Sequence, residues 1–530
     1  MKAQQLLNYE RDRWIAGDGQ LADLPSAIDG SIIATTGSGG LDFAGMLDHA
    51  RKIGGPAMRK MTFHERARML KGLGLAVMER KEELYALNPH TGATRKDGWI
   101  DIEGGALTLL SFSSKGRREL PDAHVLLDGD VEQLSKTGSF IGQHIYTPLQ
   151  GAAVHINAFN FPVWGMLEKL GPTLLAGMPA IVKPASSTAY LCEAAFRVMI
   201  DTGLLPPGAV QLIVGGVGDL FDHFGGQDTV SFTGSASTAL KLRSHPVVSR
   251  ESVRFVAEQD SLNASILGPD AAPGTPEFDL FVKEVVNEMT VKAGQKCTAI
   301  RRAMAPAEHL DALEAAIRDR LAKTTIGDPR DEASRMGALV NCSQRDDVRA
   351  QVKKLVASGA RIVAGDPDAS AGPDGGAFMQ PILLRADDPW ATSAIHDIEA
   401  FGPVSTIMPY TDLTDAIALA NRGMGSLVLS LFSYSPEAAR DFIQGAAAFH
   451  GRMLVINRDN AAESTGHGSP LAVLVHGGPG RAGGSEEMGG IRGVKHYMQR
   501  TAIQSTPAMI AAISEQYIPG GPKHFITDAH

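Results

Sequence analysis

A sulfur nucleophile is the first chemistry the sequence offers. Cys297 stands in Ala293-Gly294-Gln295-Lys296-Cys297-Thr298, a small, polar, glycine-preceded setting beside a cation. Such a setting exposes a thiol and favours its thiolate, the form that attacks carbon. Packing is the plainer reading of a lone cysteine. Cys192, inside a helical stretch, reads that way, and Cys342 in an expected turn is given no role. Glu258 closes the apolar run Val253–Ala257. A carboxylate at the carboxyl end of a strand sits where interdomain clefts form and can serve as a base; taken alone, it reads as an ion-pair residue. Asn160 in Ala158-Phe159-Asn160-Phe161-Pro162 and Glu399 before Phe401-Gly402-Pro403-Val404 punctuate apolar turns, where orienting groups are found.

Phosphate-binding chemistry has its own candidates. Phe232-Thr233-Gly234-Ser235 follows an apolar run and opens a helical stretch, Ser237–Leu242. A helix start leaves backbone N–H groups and a positive dipole end for an anion. Gly234 lets the backbone approach, and the Ser235 hydroxyl either donates or simply caps the helix. Lys183-Pro184 ends the run Ala180–Val182, at the edge where ligands bind open α/β sheets; a solvated lysine is the alternative. A literal G-x-G-x-x-G occurs at Gly478–Gly483, but no helical period follows it, so a glycine-rich surface turn is expected. His467 and His476 match no ligand spacing, and no metal is expected.

The elements that must hold these residues show two textures. His64–Glu79 has a helical apolar period, Asp101–Leu110 reads as another helix, and Ser139–Pro148 is strand-like. From Gly151, short continuous apolar runs alternate with helices, as in a parallel sheet covered on both faces. The pattern restarts after Glu258, which predicts a second α/β domain. Residues 1–40 read as turn-rich. Net charge is −9 with no basic block, which argues against a nucleic-acid partner. No apolar run reaches the roughly 18 residues of a membrane span. A polar N-terminus and three scattered cysteines predict a soluble, cytoplasmic chain.

Taken together, the motifs resemble the aldehyde dehydrogenase superfamily. Phe-Asn-Phe-Pro, Lys-Pro, Leu-Pro-Pro-Gly at 205–208, Phe-Thr-Gly-Ser, the glutamate, Gly-Gln-x-Cys and Glu-x-Phe-Gly-Pro-Val occur in family order and at family-like spacing over about residues 40–500. The resemblance implies an α/β fold with a Rossmann-like dinucleotide-binding domain (1–138 and 151–257), a catalytic domain (258–476) and a small β oligomerisation element (139–150 and 477–530). It implies a homo-oligomer, with a dimer favoured over a tetramer. It makes Cys297 the nucleophile, Asn160 an oxyanion donor and Glu258 the activator of water. It gives Lys183, Ser186, Gly234, Ser235, Glu399, Phe401 and Phe159 to the dinucleotide.

Departures refine the expectation. Glu258-Gln259-Asp260-Ser261 replaces the family's Glu-Leu-Gly-Gly, and Phe159 replaces a tryptophan. Ser186 stands where NAD-preferring members often carry a glutamate; a hydroxyl does not repel a 2′-phosphate, so NADP is expected as cofactor, with NAD weaker. The tail HGGPGRAGG…GGIRGVKHYMQRTAIQ is similar to the branch acting in aerobic, coenzyme-A-dependent aromatic ring degradation. That branch implies a CoA-linked semialdehyde as substrate, in benzoate oxidation, and the chain's end at His530 favours its stand-alone form. A phenylacetate-pathway semialdehyde, general medium- or long-chain aldehydes, an acylating enzyme and a silent structural protein on the same fold are the competing readings. Retained Glu258 argues against the acylating form. Arg117, Arg118 and Arg481 are candidates for a basic rim that meets the CoA phosphates.

Overall fold

Continuous apolar runs need cover on both faces, and they receive it. A computed structural model of the chain describes residues 4–369, 371–484 and 488–522. Its first seven-stranded sheet has the order Arg254–Glu258, Thr229–Thr233, Ala153–Ile156, Ala180–Lys183, Val210–Leu212, Leu7–Glu10, Arg13–Ala16. The first five strands are parallel, and an antiparallel hairpin closes the edge. That hairpin comes from the N-terminal region read as turn-rich. Its strands are four residues long and half polar, so their pattern is weak. A buried amide fixes it instead: Asn8 donates Nδ2–H to the Gly37 carbonyl and accepts from the Val214 N–H, both at 2.9 Å.

The second seven-stranded sheet runs Arg361–Ala364, Ile382–Arg385, Val404–Tyr410, Arg302–Pro306, Ala264–Leu267, Ser426–Phe432, His450–Ile456. All its pairs are parallel except the first. A third, antiparallel sheet joins Met498–Ser505, Ile141–Pro148 and Leu126–Gln133. Here the expected boundary at 138 shifts. Leu126–Gln133, assigned from the sequence to the dinucleotide-binding unit, pairs with Ile141–Pro148 as its hairpin partner. The end of the expected 477–530 element, from residue 523, lies outside the described residues.

Two helices carry the cleft. Arg95–Glu119 is far longer than the expected 101–110 stretch. Its start is fixed by a capping box between Thr94 and Asp97. Its internal glycines weaken the helical signal but permit close packing: a Cβ on Gly105 would lie 3.0 Å from the Trp164 Cα. The partner helix, Pro162–Ala176, is buried along its whole length. Phe161 precedes it and offers no capping side chain. Asp101 supplies the cap from the neighbouring helix, its Oδ1 accepting from the N–H groups of Val163 at 2.9 Å and Trp164 at 2.7 Å. Asp101→Ala is expected to leave two buried donors unpaired and cost about 1–3 kcal/mol; a chemical-denaturation curve matching the parent's would show that the cap contributes nothing.

Candidate active site

Strand ends and one strained loop assemble the candidate residues. Glu258 is the last residue of its strand and pairs in register with Thr233. Asn160 follows Ala153–Ile156, the strand on the far side of Thr229–Thr233, just before the helix Pro162–Ala176. Cys297 follows a turn, Val291–Gly294, in which Lys292, Ala293 and Gly294 have φ of 55°, 51° and 66°. Left-handed backbone is costly for the first two and persists only when the surroundings over-determine it. They do so here. A Cβ on Gly294 would collide with the Gly402 carbonyl. Arg301 donates to the carbonyls of Gly402, Gly294 and Lys296 at 2.8, 3.0 and 3.2 Å. Asn263 donates to the Cys297 carbonyl at 2.7 Å, and Asn160 donates to that of Gln295 at 3.1 Å.

The three reactive groups meet at one point. The Nε2 of His476 lies 3.0 Å from Oε2 of Glu258 and is hydrogen-bonded to Sγ of Cys297 at 3.9 Å. In the sequence, His476 shows only a metal-ligand spacing that fits no standard set. It was invisible because its partners lie far away in the chain. Two further charges went unread inside an apolar helix. Lys169 donates to Glu168 at 2.9 Å and to the Thr233 hydroxyl at 2.8 Å. Glu168, Lys169, Thr233, Glu258, Asn160 and Cys297 line a cavity of about 20 Å³, room for about one water molecule.

Electrostatics follow from this packing. Burial opposes the charge on Glu258, but the charges of His476 and Lys169 outweigh it and hold the carboxyl below the usual range. Burial, reinforced by Glu258, pushes the Cys297 thiol well above its ordinary value, so the resting sulfur is protonated. Burial also raises Glu399, to about 7, against the opposing pull of Arg301.

A cavity of about 630 Å³ adjoins the same sulfur. Phe159, Lys183, Gly234, Ser235, Glu399 and Phe401 all line it. Phe159 and Phe401 meet edge to face at 5.8 Å, and Glu399 accepts from the Ser261 N–H at 3.0 Å. Ser235 caps the helix Ala236–Arg243 by accepting from the Thr238 N–H. An ammonium, a helix start with hydroxyls and a carboxylate suit the phosphates and riboses of a dinucleotide. Ser186 is not on this wall; it begins a short turn, Ser186–Thr188, and Ala185 lines the cavity instead.

The glycine turn at 478–483 is not a surface feature. Ala482 is buried and its carbonyl accepts from Gln259, while a Cβ on Gly483 would strike the Ala257 carbonyl. The turn therefore buttresses the strand that ends in Glu258. Arg481 is consumed there, donating to the carbonyls of His396 and Asp397. Arg117 and Arg118 sit exposed at the end of Arg95–Glu119, and none of the three arginines lines either cavity.

A cysteine and a carboxylate at the junction of two α/β sheets, beside a dinucleotide-sized cavity, define the class. The aldehyde dehydrogenase family model matches residues 14–503, and the chain belongs to that family. A relative is 3,4-dehydroadipyl-CoA semialdehyde dehydrogenase of Aromatoleum evansii, 43% identical over 90% of this chain and 93% of that one. Protein MaoC of Klebsiella aerogenes is 56% identical over 35% of this chain and 55% of its own length. Among solved structures, lactaldehyde dehydrogenase from Escherichia coli has a TM-score of 0.83 at 22% identity, covering 95% of this chain and 99% of that one. Betaine aldehyde dehydrogenase from Staphylococcus aureus, in complex with NAD+, has a TM-score of 0.82 at 20% identity, covering 99% and 97%.

The raised Glu399 carboxyl sets a pH dependence. With the group moved from its ordinary 4.5 to about 7 on folding, its stabilising contribution is present in full below about pH 4.5 and is lost as pH rises to about 7. The Tm of the parent should therefore fall relative to Glu399→Gln across that interval, by the equivalent of about 3 kcal/mol at most. A constant Tm difference between the two proteins across it would show that Glu399 keeps its ordinary value.

Proposed function

We propose that this chain catalyses the NADP-dependent oxidation of a CoA-linked semialdehyde, 3,4-dehydroadipyl-CoA semialdehyde, to the carboxylic acid. The observation that carries the reading is that Cys297, Glu258 and Asn160 converge where the water-sized cavity meets the larger one. The relative from Aromatoleum evansii supports the substrate. Bound in the larger cavity, the dinucleotide supplies a hydride acceptor. The chain's own residues do the remainder. Sγ of Cys297 adds to the aldehyde carbon and forms a thiohemiacetal. The Asn160 amide and the Cys297 backbone N–H receive the oxyanion, a contribution of about 3 kcal/mol for a preorganised donor. Once the carbon is oxidised to a thioester, Glu258 draws a proton from water in the small cavity and hydrolysis releases the acid.

Lys183, Gly234 and Ser235 hold the adenosine ribose and pyrophosphate, Glu399 the nicotinamide ribose, and Phe159 and Phe401 flank the ring. NADP is preferred over NAD because Ser186 puts no carboxylate beside the lysine to repel a 2′-phosphate. The first sheet is the dinucleotide-binding domain, the second the catalytic domain. The third sheet is the oligomerisation element of a dimer. A further cavity of about 430 Å³ has an apolar wall of Trp99, Ile100, Leu280 and Phe432, which suits an acyl chain, while its lysines, Lys96, Lys283 and Lys296, share the lining with Asp97, Glu284 and Glu288.

A substrate panel decides the matter. NADPH formation should be faster, in kcat/KM, with a CoA-thioester semialdehyde than with free medium-chain aldehydes, and faster with NADP+ than with NAD+. Cys297→Ala should abolish turnover. Full activity in that variant would remove the covalent route, and strong NAD+ preference would remove the role given to Ser186.

A further inference from the structure

We infer that the carboxamide of Asn157 seats the water that Glu258 activates. The inference deepens the proposed function: it rests on Cys297 as the nucleophile and on hydrolysis of its thioester. Asn157 follows the strand Ala153–Ile156, and its N–H donates to the Lys183 carbonyl at 2.9 Å, which fixes its backbone. Side chains alternate along an extended chain. Two residues earlier, His155 lies 3.1 Å from the Thr173 hydroxyl of the helix Pro162–Ala176. Asn157 faces that helix in turn, and meets it at a glycine: a Cβ on Gly165 would lie 4.0 Å from the Asn157 Cβ. Gly165 and Asn157 both line the small cavity.

Five polar side chains border both the small cavity and the larger one: Asn157, Asn160, Thr233, Glu258 and Cys297. Four are engaged. Asn160 donates to the Gln295 carbonyl, Thr233 accepts from Lys169, and Glu258 and Cys297 both meet His476. Asn157 is the exception: it is 3% exposed, and neither Oδ1 nor Nδ2 has a partner among the described residues. Buried polar atoms are ordinarily hydrogen-bonded, to protein or to ordered water. The cavity beside this amide, about 20 Å³, has the size and the polar walls that one water needs. Glu168 offers a further unclaimed acceptor, Oε2, but on a wall that the larger cavity does not share. Oδ1 of Asn157 accepts one hydrogen of the water and the Glu258 carboxylate accepts the other, which leaves an oxygen lone pair for the thioester carbon. As the oxygen attacks, one O–H proton passes to Glu258. The C–S bond breaks with its electron pair on sulfur, and the proton returns to that sulfur. Atoms and charge balance, and Asn157 ends unchanged.

p-Nitrophenyl acetate tests this on the full-length chain, because an activated ester acylates a thiol directly and needs neither aldehyde nor dinucleotide. Nitrophenolate release reads acylation. Loss of the acetyl group from Cys297, followed by intact mass in a single turnover, reads hydrolysis. Asn157→Leu keeps the volume without the amide, and Asn157→Ala decides if circular dichroism shows the first variant unfolded. Acylation should stay within about twofold of the parent's, whereas hydrolysis of the acetyl-enzyme should slow by about tenfold to a hundredfold. Hydroxylamine, which needs no seated water, should release the acetyl group from variant and parent at the same rate. Hydrolysis at the parent's rate in a folded variant overturns the proposal, as does a loss by one factor in both steps, which marks a merely structural role. A parent whose Cys297 is never acylated removes the nucleophile itself, and with it both readings. A parent that hydrolyses the ester but makes no NADPH from any aldehyde would sink the dehydrogenase reading while leaving the place of the water standing.

Discussion

Everything in the cleft depends on placing several ionisable groups side by side with almost no water between them. Isolated, a buried carboxylate or ammonium would neutralise itself or destabilise the fold. Here each charge is compensated: Lys169 by Glu168, and Glu258 by the charges of His476 and Lys169. The compensation has a chemical result. Glu258 stays ionised where burial would otherwise protonate it, and Cys297 stays a thiol until a base acts. The two groups are therefore kept in different protonation states less than one side-chain length apart, the arrangement expected of an acid–base site.

Backbone strain serves the same end. The left-handed run at Lys292, Ala293 and Gly294 points the following residues into the cleft, and Arg301 pins the loop through three carbonyls. Arg301 is itself paired with Glu399 across 3.5 Å. The loop that presents the sulfur and the carboxylate in the wall of the larger cavity thus share one guanidinium. A fixed nucleophile loop is what covalent chemistry asks for, since small misplacements of reacting atoms are expensive.

Much of this was legible in the chain. Continuous runs such as Ala180–Val182 announced parallel strands, and Gly-Gln-x-Cys with Phe-Thr-Gly-Ser located the chemistry by type. What stayed hidden shares a physical cause: it depends on residues remote in sequence. Asp101 caps a helix that is not its own, so no local capping signal exists. The glycine turn at 478–483 looked like a surface loop because only the fold shows its glycines pressed against the carbonyls of Ser426, Met424 and Ala257. His476 belongs to no spacing rule, since its partners enter from strands and loops elsewhere. Glu168 and Lys169 did leave a trace, two adjacent charges in an otherwise apolar helix. The N-terminal hairpin failed for a different reason: short edge strands with polar faces carry little period.

The spread of the cleft residues along the chain has a consequence for how the protein is made. Asn160 comes early, Glu258 closes the first sheet, Cys297 falls between the first two strands of the second in chain order, and His476 follows the last strand of that sheet. Contacts at such separations form late, after loop-closure entropy has been met. A chain emerging from the ribosome can complete its first sheet while still lacking both sulfur and imidazole in their final places. The cleft is thus incomplete in partly built molecules and is assembled only when the last quarter of the polypeptide has docked.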